Sequence, residues 1–321
     1  MSSNRSGGIR GIFLNLMRIR RVEFRIAEIP ILLIPAFLEL ALGAAPAPVW
    51  VWVEAFFAFF FLFAFGDMIN CYADRDLDAR YKKHLSDAVY ALGLPFVAAQ
   101  IIVSAVAAMG IAVHLAFALD RWLLVPVVAV GLFLGAAYSV EPIRLKGRGV
   151  WHLICLWLIV LFGPMLFISL ILRPFPSTAL LVFAAAYATI QMGVILVNSA
   201  EDFPEDREAG VRNTVVTYGL SASLRAAVAM VAAGGVGVLG TLAVLYTGAG
   251  VPPLHWLAIA PFVGATGFVL ADMSTVSRSL HGAPETTRIA IVKDAAKRVP
   301  IWITLVAWTA FGATYLFYRM T

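Results

Sequence analysis

Two groups of acidic residues stand beside long apolar stretches of this chain. The groups are Asn70, Asp74 and Asp78, and then Asn198, Asp202 and Asp206. A charged aspartate at the centre of a membrane helix costs about 2.5–3.5 kcal/mol, so carboxylates gathered beside apolar spans need a compensating partner. The pattern favours a divalent cation as that partner.

Both groups have i, i+4, i+8 spacing, which places their side chains on one face of a helix. Asp74 and Asp78 would then lie about 6 Å apart along the axis, close enough to share hard cations. Asp67 joins this face, whereas Asp76 points to the opposite face and is interpreted as solvated or paired with arginine. Pro204 weakens helical geometry within the second group, because the residue before a proline avoids the α region. Oxygen ligands without histidine or cysteine favour Mg²⁺.

A basic segment lies between the two acidic groups in the sequence, with Arg144, Lys146 and Arg148 after Tyr138. The excess of basic residues in cytoplasmic loops explains these charges without any further role. Opposite two metal sites, they could instead neutralise phosphate oxygens that the cations do not reach. The first acidic group has a similar alternative, a solvated patch balanced by neighbouring basic residues such as Lys82.

The elements that position these residues must be membrane helices. The chain has 321 residues, a mean hydropathy of +0.89, 61% hydrophobic residues and 13% charged residues, which excludes a soluble globular domain. We expect an all-α, polytopic membrane protein with nine transmembrane helices bundled around a central cavity, since prolines inside the spans leave room between helices. The predicted spans are residues 26–45, 49–66, 89–115, 122–138, 149–172, 177–198, 221–246, 252–273 and 299–318.

The distribution of basic residues predicts the orientation of these spans. With the N-terminus in the cytoplasm, 21 of the 24 lysine and arginine residues fall on the inner side. Both acidic groups and the basic segment then face the cytoplasm, across the inner membrane if the host is bacterial. The net charge of +5 reflects this bias and attraction to anionic lipid, and it implies no nucleic-acid partner.

The chain is expected to form a single domain over residues 1–321, because no linker interrupts the regular succession of apolar segments. Residues 1–25 read as an interfacial basic segment, and the polar stretch 274–300 could lie along the membrane surface. A signal peptide is the alternative reading of the first span, but that span is long and carries Glu39. The recurrence of Asn and spaced Asp residues suggests two related halves that share a site.

Taken together, these motifs strongly resemble those of the UbiA superfamily of intramembrane prenyltransferases. The matching motifs are Asn70-x-x-x-Asp74-x-x-x-Asp78, Tyr138-Ser139 with Pro142 and Arg144-Leu145-Lys146, and Asp202-x-x-x-Asp206-Arg207 with Gly210, Arg212 and Thr214. The resemblance implies a helical bundle that binds a prenyl diphosphate through Mg²⁺ held by both Asp-rich motifs. The chain departs from the family pattern at two places. Cys71 stands where the family has aspartate, and Lys82 to Asp87 replaces the Arg-Thr and Arg-Pro signature that the family has after the first motif.

Carried over by position, the resemblance implies a role for each matching residue. The implied metal ligands are Asn70, Asp74, Asp78, Asp202 and Asp206. The implied catalytic residues are Asp74, Asp202 and Tyr138, and the implied substrate-binding residues are Asn70, Arg144 and Lys146. Lys82 and Asn198, outside the matching positions, are further candidate substrate-binding residues.

Three functions remain open at this point. The first is Mg²⁺-dependent transfer of an isoprenyl group to a lipophilic acceptor of aromatic or quinone type within the bilayer. The second is a membrane terpene cyclase, in which the prenyl chain attacks itself without an acceptor. The third is a cation-coupled transporter, which Glu39 and Glu54 inside the first two spans would suit, although a buried glutamate paired with a polar neighbour is the commoner explanation.

Overall fold

A computed structural model describes residues 8–22 and 25–321. The predicted interfacial segment, residues 1–25, therefore lies partly outside the described residues, at positions 1–7, 23 and 24. Its described part forms one amphipathic helix, Ile9–Ile19, whose Ile9, Phe13 and Leu14 side chains are exposed while Ile19 is buried. This pattern agrees with a helix that lies at a membrane surface.

The described residues are almost entirely helical, which confirms the all-α prediction. In chain order the helices are α1 Ile9–Ile19, α2 Arg25–Ala41, α3 Val49–Tyr81, α4 Lys83–Leu92, α5 Leu94–Leu119, α6 Leu124–Ser139, α7 Val150–Leu156, α8 Gly163–Leu172, α9 Thr178–Glu201, α10 Phe203–Glu208, α11 Thr214–Tyr218, α12 Leu220–Gly248, α13 Ala260–Ser279, α14 Glu285–Ala296 and α15 Val299–Met320. A π-helical turn, Trp157–Phe162, joins α7 to α8, and a 3₁₀ turn, Pro253–Ile259, precedes α13. Two short strands, β1 Arg148–Gly149 and β2 Arg212–Asn213, pair in parallel.

Seven helical segments among the described residues are long and apolar enough to cross a membrane. They correspond to seven of the nine predicted spans. The other two predicted spans are helices of 17 and 16 residues, α2 and α6, at the lower limit for a bilayer core of about 30 Å. The chain is thus a multi-pass membrane protein, and the count of nine crossings stays a prediction.

The chain divides into two compact units. The first contains the described residues up to Arg25 together with Val49–Leu145, and the second contains Ile26–Pro48 together with Lys146–Thr321. Each unit has its own buried apolar core. The single-domain organisation of the chain stays a prediction.

The first unit is organised by α3, whose 33 residues span about 50 Å, well beyond the thickness of a bilayer core. Its second half therefore continues past the apolar section and carries the first acidic group, as the sequence predicts. Arg20 and Arg25 pack against this helix through cation–π contacts. Their guanidinium groups lie 5.7 Å and 5.3 Å from the ring centres of Phe60 and Phe63.

The second unit is centred on the close contact between α9 and α12. A Cβ atom added at Gly234 would lie 2.5 Å from the backbone oxygen of Ala186, and one added at Gly193 would lie 2.7 Å from that of Ala227. Only glycine lets the two backbones approach so closely, a common way of packing helices in membranes. The second acidic group follows directly from the end of α9.

The polar stretch 274–300 is divided between three helices. Its first residues complete α13, which ends at Ser279, and its middle forms α14. Val299 then begins α15. A role for this stretch as a surface-lying segment stays a prediction.

Candidate active site

The first acidic group lies on the inward face of α3 in the first unit. Asp74 and Asp78 are buried, with 6% and 9% of their surfaces exposed, and Cys71 on the same face is 2% exposed. Because Asp74 and Asp78 are one helical turn apart, their carboxylates lie about 6 Å apart along the axis. The helix thus holds two carboxylates side by side and away from bulk water.

Arg144 brings the basic segment to this group. Its guanidinium Nη2 lies 3.3 Å from Oδ1 of Asp74, and its Nη1 lies 3.2 Å from Oε1 of Glu141. Arg144 has a φ of +38°, an uncommon conformation that turns the chain after the end of α6. The arginine is thereby directed toward a buried carboxylate, where a cation is most strongly attracted.

Asn70 is tied to the end of α6 by a hydrogen bond. Its Nδ2 donates to Oγ of Ser139, at 3.2 Å, and Ser139 itself is buried. Tyr138 precedes Ser139 and is half-buried. The first unit therefore brings Asn70, Asp74, Asp78, Arg144 and the end of the helix that carries Tyr138 into one neighbourhood.

The two flanking acids of α3 have other partners. Asp67 accepts a hydrogen bond of 2.5 Å from Nη2 of Arg25, on the face that carries the first acidic group. Asp76 is exposed on the opposite face, 3.6 Å from Nη2 of Arg75, which confirms its interpretation as a solvated, arginine-paired residue. The hydroxyl of Tyr90 also donates to Asp76, and this bond raises the pKa of Tyr90 above its ordinary value.

The second acidic group lies across a break between two helices of the second unit. Helix α9 ends at Glu201 and α10 begins at Phe203, so Asp202 stands at the junction. The helix is broken as Pro204 indicated, but at Asp202: Phe203, expected to leave the α region, is the first residue of α10. Asn198 lies in the last turn of α9 and is exposed. The i, i+4, i+8 spacing of this group is therefore not carried by one continuous helix.

Asp206 is held by an amide that the sequence analysis did not select. Nδ2 of Asn213 donates to Oδ2 of Asp206 at 2.5 Å, while Oδ1 of Asn213 accepts from the backbone N–H of Val216 at 2.8 Å. Asn213 is buried and caps the N-terminus of α11. An asparagine before a short apolar helix is a recognisable cap signal, but nothing in the sequence links it to Asp206.

The β1 and β2 strands bring part of the basic segment to the second acidic group. Arg148 pairs with Arg212, and Gly149 pairs with Asn213. Oγ1 of Thr214 donates to the backbone oxygen of Gly149 at 2.8 Å, which reinforces the pairing. Lys146, two residues before β1, is half-buried in a short 3₁₀ turn, Leu145–Gly147.

Helix α14 is fastened to α10 by two ion pairs. Nζ of Lys293 lies 2.9 Å from Oε1 of Glu205, and Nη2 of Arg207 lies 2.6 Å from Oε1 of Glu285. The bond to Glu205, with the nearby charges of Glu201 and Asp202, raises the pKa of Lys293. Arg207 likewise lowers the pKa of Glu285. Sequence reasoning missed these contacts because the paired residues are about eighty positions apart.

The donor atoms of both acidic groups suit a hard divalent cation. Among the described residues, no three histidine, cysteine, aspartate or glutamate side chains are gathered closely enough to form a complete metal site. Mg²⁺ is commonly bound through one or two carboxylates, with waters and substrate phosphates as the remaining ligands. The buried Asp74 and Asp78 pair fits such a partial ligand set. Lys82, which directly precedes α4, is half-buried at the end of the same acidic segment.

Comparison with known proteins identifies a family. Residues 32–279 match the UbiA prenyltransferase family, a range that includes both acidic groups and the basic segment. No match was found among curated proteins.

Solved structures share the fold at low sequence identity. A UbiA homolog from Archaeoglobus fulgidus bound to GPP and Mg²⁺ has a TM-score of 0.62 and 16% identity, covering 91% of this chain and 99% of the homolog. A digeranylgeranylglyceryl phosphate synthase structure has a TM-score of 0.62 and 15% identity, covering 95% and 99%. An apo UbiA homolog from Aeropyrum pernix K1 has a TM-score of 0.57 and 18% identity, covering 88% and 95%.

Proposed function

Because the chain belongs to the UbiA prenyltransferase family, we propose that it transfers an isoprenyl group from a prenyl diphosphate to a lipophilic acceptor in the bilayer. The acceptor is of aromatic or quinone type, and the reaction depends on Mg²⁺. The observation that carries this proposal is the family match across both acidic groups, combined with the burial of Asp74 and Asp78 on one face of α3. The UbiA homolog that holds GPP and Mg²⁺ supports the same cofactor and donor class.

In the first unit, Asn70, Asp74 and Asp78 are the proposed metal ligands. Arg144, 3.3 Å from Asp74, is proposed to bind a diphosphate oxygen as well, because a guanidinium offers several donors in a planar fork. Lys82 supplies a second positive charge for the same diphosphate. Burial of the two aspartates favours this role, since carboxylates held away from water bind cations more strongly.

In the second unit, Asp202 and Asp206 are the proposed metal ligands. Asn213 orients the carboxylate of Asp206, as outer partners of metal ligands commonly do. Lys146 and Asn198 are proposed to bind the substrate. These assignments rest on the motif match and on the local contacts of each residue.

The residues of the proposed site stabilise the charge on the diphosphate during the transfer, and the helices shield the prenyl chain from water. Bound Mg²⁺ would neutralise the charge on the diphosphate leaving group. Arg144 and Lys146 add fixed positive charge where negative charge develops as the allylic carbon–oxygen bond breaks. Apolar helix surfaces exclude water from the prenyl chain. Tyr138 is proposed to relay the proton of the acceptor, taking it up as its own hydroxyl proton passes to the released diphosphate, and the Asn70 to Ser139 hydrogen bond beside it supports this position.

The reaction is proposed to take place at the cytoplasmic face of the membrane, with the N-terminus on the same side. The concentration of basic residues in the segments that flank both acidic groups supports this orientation. A prenyl diphosphate would then enter with its charged end toward the cytosol and its chain toward the bilayer.

The proposal is tested with membranes from the native host, which contain the natural acceptor. Geranyl, farnesyl and geranylgeranyl diphosphates are added with Mg²⁺ or with a chelator, and the lipid products are analysed. We expect a prenylated lipid that requires Mg²⁺, and we expect its formation to be abolished by Asp74→Ala or Asp202→Ala. Near-normal rates in both variants would contradict the assigned site.

Each of these variants has a matched control. Asp76→Ala removes an exposed carboxylate from the opposite face of α3, and Glu208→Ala removes an exposed one at the end of α10. Both are expected to retain activity. A double-mutant cycle between Asp74 and Asp202 then asks whether the two groups act on one substrate, because residues that act as a unit have strongly non-additive effects.

The other functions give different results in the same assay. A cyclic hydrocarbon formed without an acceptor would identify a terpene cyclase and overturn the transfer reaction.

A transporter would require Glu39 and Glu54 to bind and release the coupling cation. Glu39 instead lies 2.7 Å from Arg173, and Glu54 lies 2.8 Å from His114, which agrees with the simpler explanation of paired intramembrane acids.

A further inference from the structure

A cavity of about 570 Å³ opens between α12 and α13, within the second unit. None of its lining residues belongs to either acidic group or to the basic segment. The lining residues are Ser221, Arg225, Val228, Ser274, Ser277, Arg278 and His281. On α12 they recur at i, i+4, i+7 and on α13 at i, i+3, i+4, so each helix presents one continuous face to the cavity, while His281 lies in the turn just after α13.

The cavity exists because the two helices separate toward one end. They approach closely at mid-length, where a Cβ atom added at Gly235 would lie 3.1 Å from Cγ2 of Thr266. Val228 lies about 10 Å along α12 from Gly235, and Ser274 lies about 12 Å along α13 from Thr266. The space between the helices is therefore a wedge that opens toward the ends of α12 and α13 that carry Arg225 and Arg278.

The mouth of this wedge is positively charged and lacks acidic partners. Within the described residues, Arg225, Arg278 and His281 form no ion pair, and Arg278 makes only hydrogen bonds of 3.3 Å to its own helix, at Ser274 and Thr275. All three basic side chains are exposed. Two guanidinium groups beside serine hydroxyls form a donor set that suits a phosphate group.

The wedge lies in surroundings that suit a lipid ligand. Both helices are apolar membrane spans, with exposed Val236 and Phe268 beside the point where they meet. The predicted orientation places the mouth at the level of the cytoplasmic headgroups, which carry negative charge and attract basic residues. A ligand with a phosphate at the mouth and apolar chains along the helices matches both properties.

We propose that this wedge is a binding site for an anionic phospholipid, with Arg225 and Arg278 contacting the phosphate. Ser221, Ser274 and Ser277 supply further hydrogen bonds, and Val228 contacts the beginning of an acyl chain. The site requires no divalent cation, because the arginines themselves compensate the phosphate charge. It is separate from the carboxylates proposed to bind the prenyl diphosphate.

Native mass spectrometry of the purified full chain tests this site. The detergent-solubilised protein is titrated with phosphatidylglycerol, and in a second series with phosphatidylcholine. We expect tighter binding of phosphatidylglycerol, and we expect the Arg225→Ala/Arg278→Ala variant to bind it at least about tenfold more weakly. The loss for phosphatidylcholine is expected to be smaller, because its choline already compensates the phosphate charge. Arg225→Lys/Arg278→Lys keeps the charge without the planar fork and is expected to lie between the two.

The matched control removes two equivalent charges elsewhere. Lys83→Ala/Lys297→Ala deletes two exposed lysines from weak surface ion pairs at the same predicted membrane face. An equal loss of phosphatidylglycerol from both double variants would mean general electrostatic attraction and would overturn the site. Competition by glycerol phosphate at the affinity of the lipid would show that a soluble phosphate suffices, and would overturn the lipid as occupant.

A second variant keeps the test decisive if the arginine variants do not fold. Ser277→Trp fills the wedge without changing the charge, so it is expected to cause a similar loss of phosphatidylglycerol. Unchanged binding in this variant would overturn the proposal. Because the measurement is lipid binding alone, its outcome does not depend on the proposed transferase activity.

Discussion

Asn213 donates a hydrogen bond of 2.5 Å to Asp206 and at the same time accepts one of 2.8 Å from the backbone of Val216. One amide thus caps α11 and fixes the carboxylate of the second acidic group. The strand pairing of Gly149 with Asn213 adds the basic segment to this arrangement. Loss of the amide should therefore disturb the orientation of Asp206 more than the stability of the fold.

Asn213→Ser separates these two roles. Serine caps a helix about as well as asparagine, but its short hydroxyl does not replace the amide donor to Asp206. We expect a 10- to 100-fold loss of metal affinity or activity, typical of outer partners of metal ligands, with little change in unfolding temperature. The Mg²⁺ concentration that gives half-maximal activity is the measurement. A fall in thermal stability with an unchanged Mg²⁺ dependence would contradict an orienting role.

Arg173→Ala should strongly destabilise the second unit. Arg173 lies 2.7 Å from the fully buried Glu39, which also accepts from Ser169 at 2.6 Å and from the backbone N–H of Ser177 at 2.9 Å. Removing one partner of a buried ion pair leaves an uncompensated charge and costs about 3–5 kcal/mol. Unfolding of the purified protein measures this cost. Arg121→Ala, which deletes an arginine whose side chain, among the described residues, makes a 3.4 Å hydrogen bond to the backbone of the adjacent Asp120, should change stability by about 0.5 kcal/mol at most.

Gly234→Ala should disrupt the contact between α9 and α12. The added methyl would meet the backbone oxygen of Ala186 at 2.5 Å, and backbone atoms cannot move aside as a side chain does. We expect destabilisation of about 1–3 kcal/mol or more. Gly240→Ala is the control on the same helix, because no atom lies within 4 Å of its added Cβ. That control should be neutral or slightly stabilising, and equal losses in both variants would contradict the contact.

The attachment of α14 to α10 should be insensitive to pH over a wide range. Arg207 lowers the pKa of Glu285 below its usual 4.5, so this contribution is present above that value and is lost as the pH falls through the lowered pKa. Glu205 raises the pKa of Lys293 above 10.5, so on the basic side that contribution is lost as the pH rises beyond the raised pKa. A spin label at Thr287→Cys should keep constant mobility between these limits and become more mobile at lower pH. Adding Glu285→Gln should make the acidic transition smaller, and a transition of unchanged size and midpoint would contradict the assignment.

The predicted topology places the C-terminal end of α12 on the outer side of the membrane. It places α14, which follows α13, on the cytoplasmic side. Thr247 at the end of α12 is exposed and should face outward, whereas Thr286 on α14 is exposed and should face the cytoplasm. The native Cys71 and Cys155 are buried. An impermeant thiol reagent applied to intact cells should label Thr247→Cys and not Thr286→Cys. The reverse pattern would refute the cytoplasmic position of the acidic groups.

Much of the fold follows from local properties of the sequence. Apolar runs predicted seven of the membrane spans, and the i, i+4, i+8 spacing of Asn70, Asp74 and Asp78 anticipated that all three lie on one continuous helix. Pro204 likewise indicated a weakened helix in the second acidic group, although the break lies at Asp202 and not at Phe203. These features depend on neighbours within a few turns, so composition and periodicity are enough to predict them.

Only the tertiary structure decided which distant residues meet. Glu39 and Arg173 are paired across 134 positions, and Lys293 meets Glu205 across 88. Neither the hydrogen bond from the side-chain amide of Asn213 to Asp206 nor the wedge beside Arg225 has a signature in the sequence. Hydropathy is a property of each residue in its own segment, whereas these contacts depend on the angles and distances at which whole helices pack.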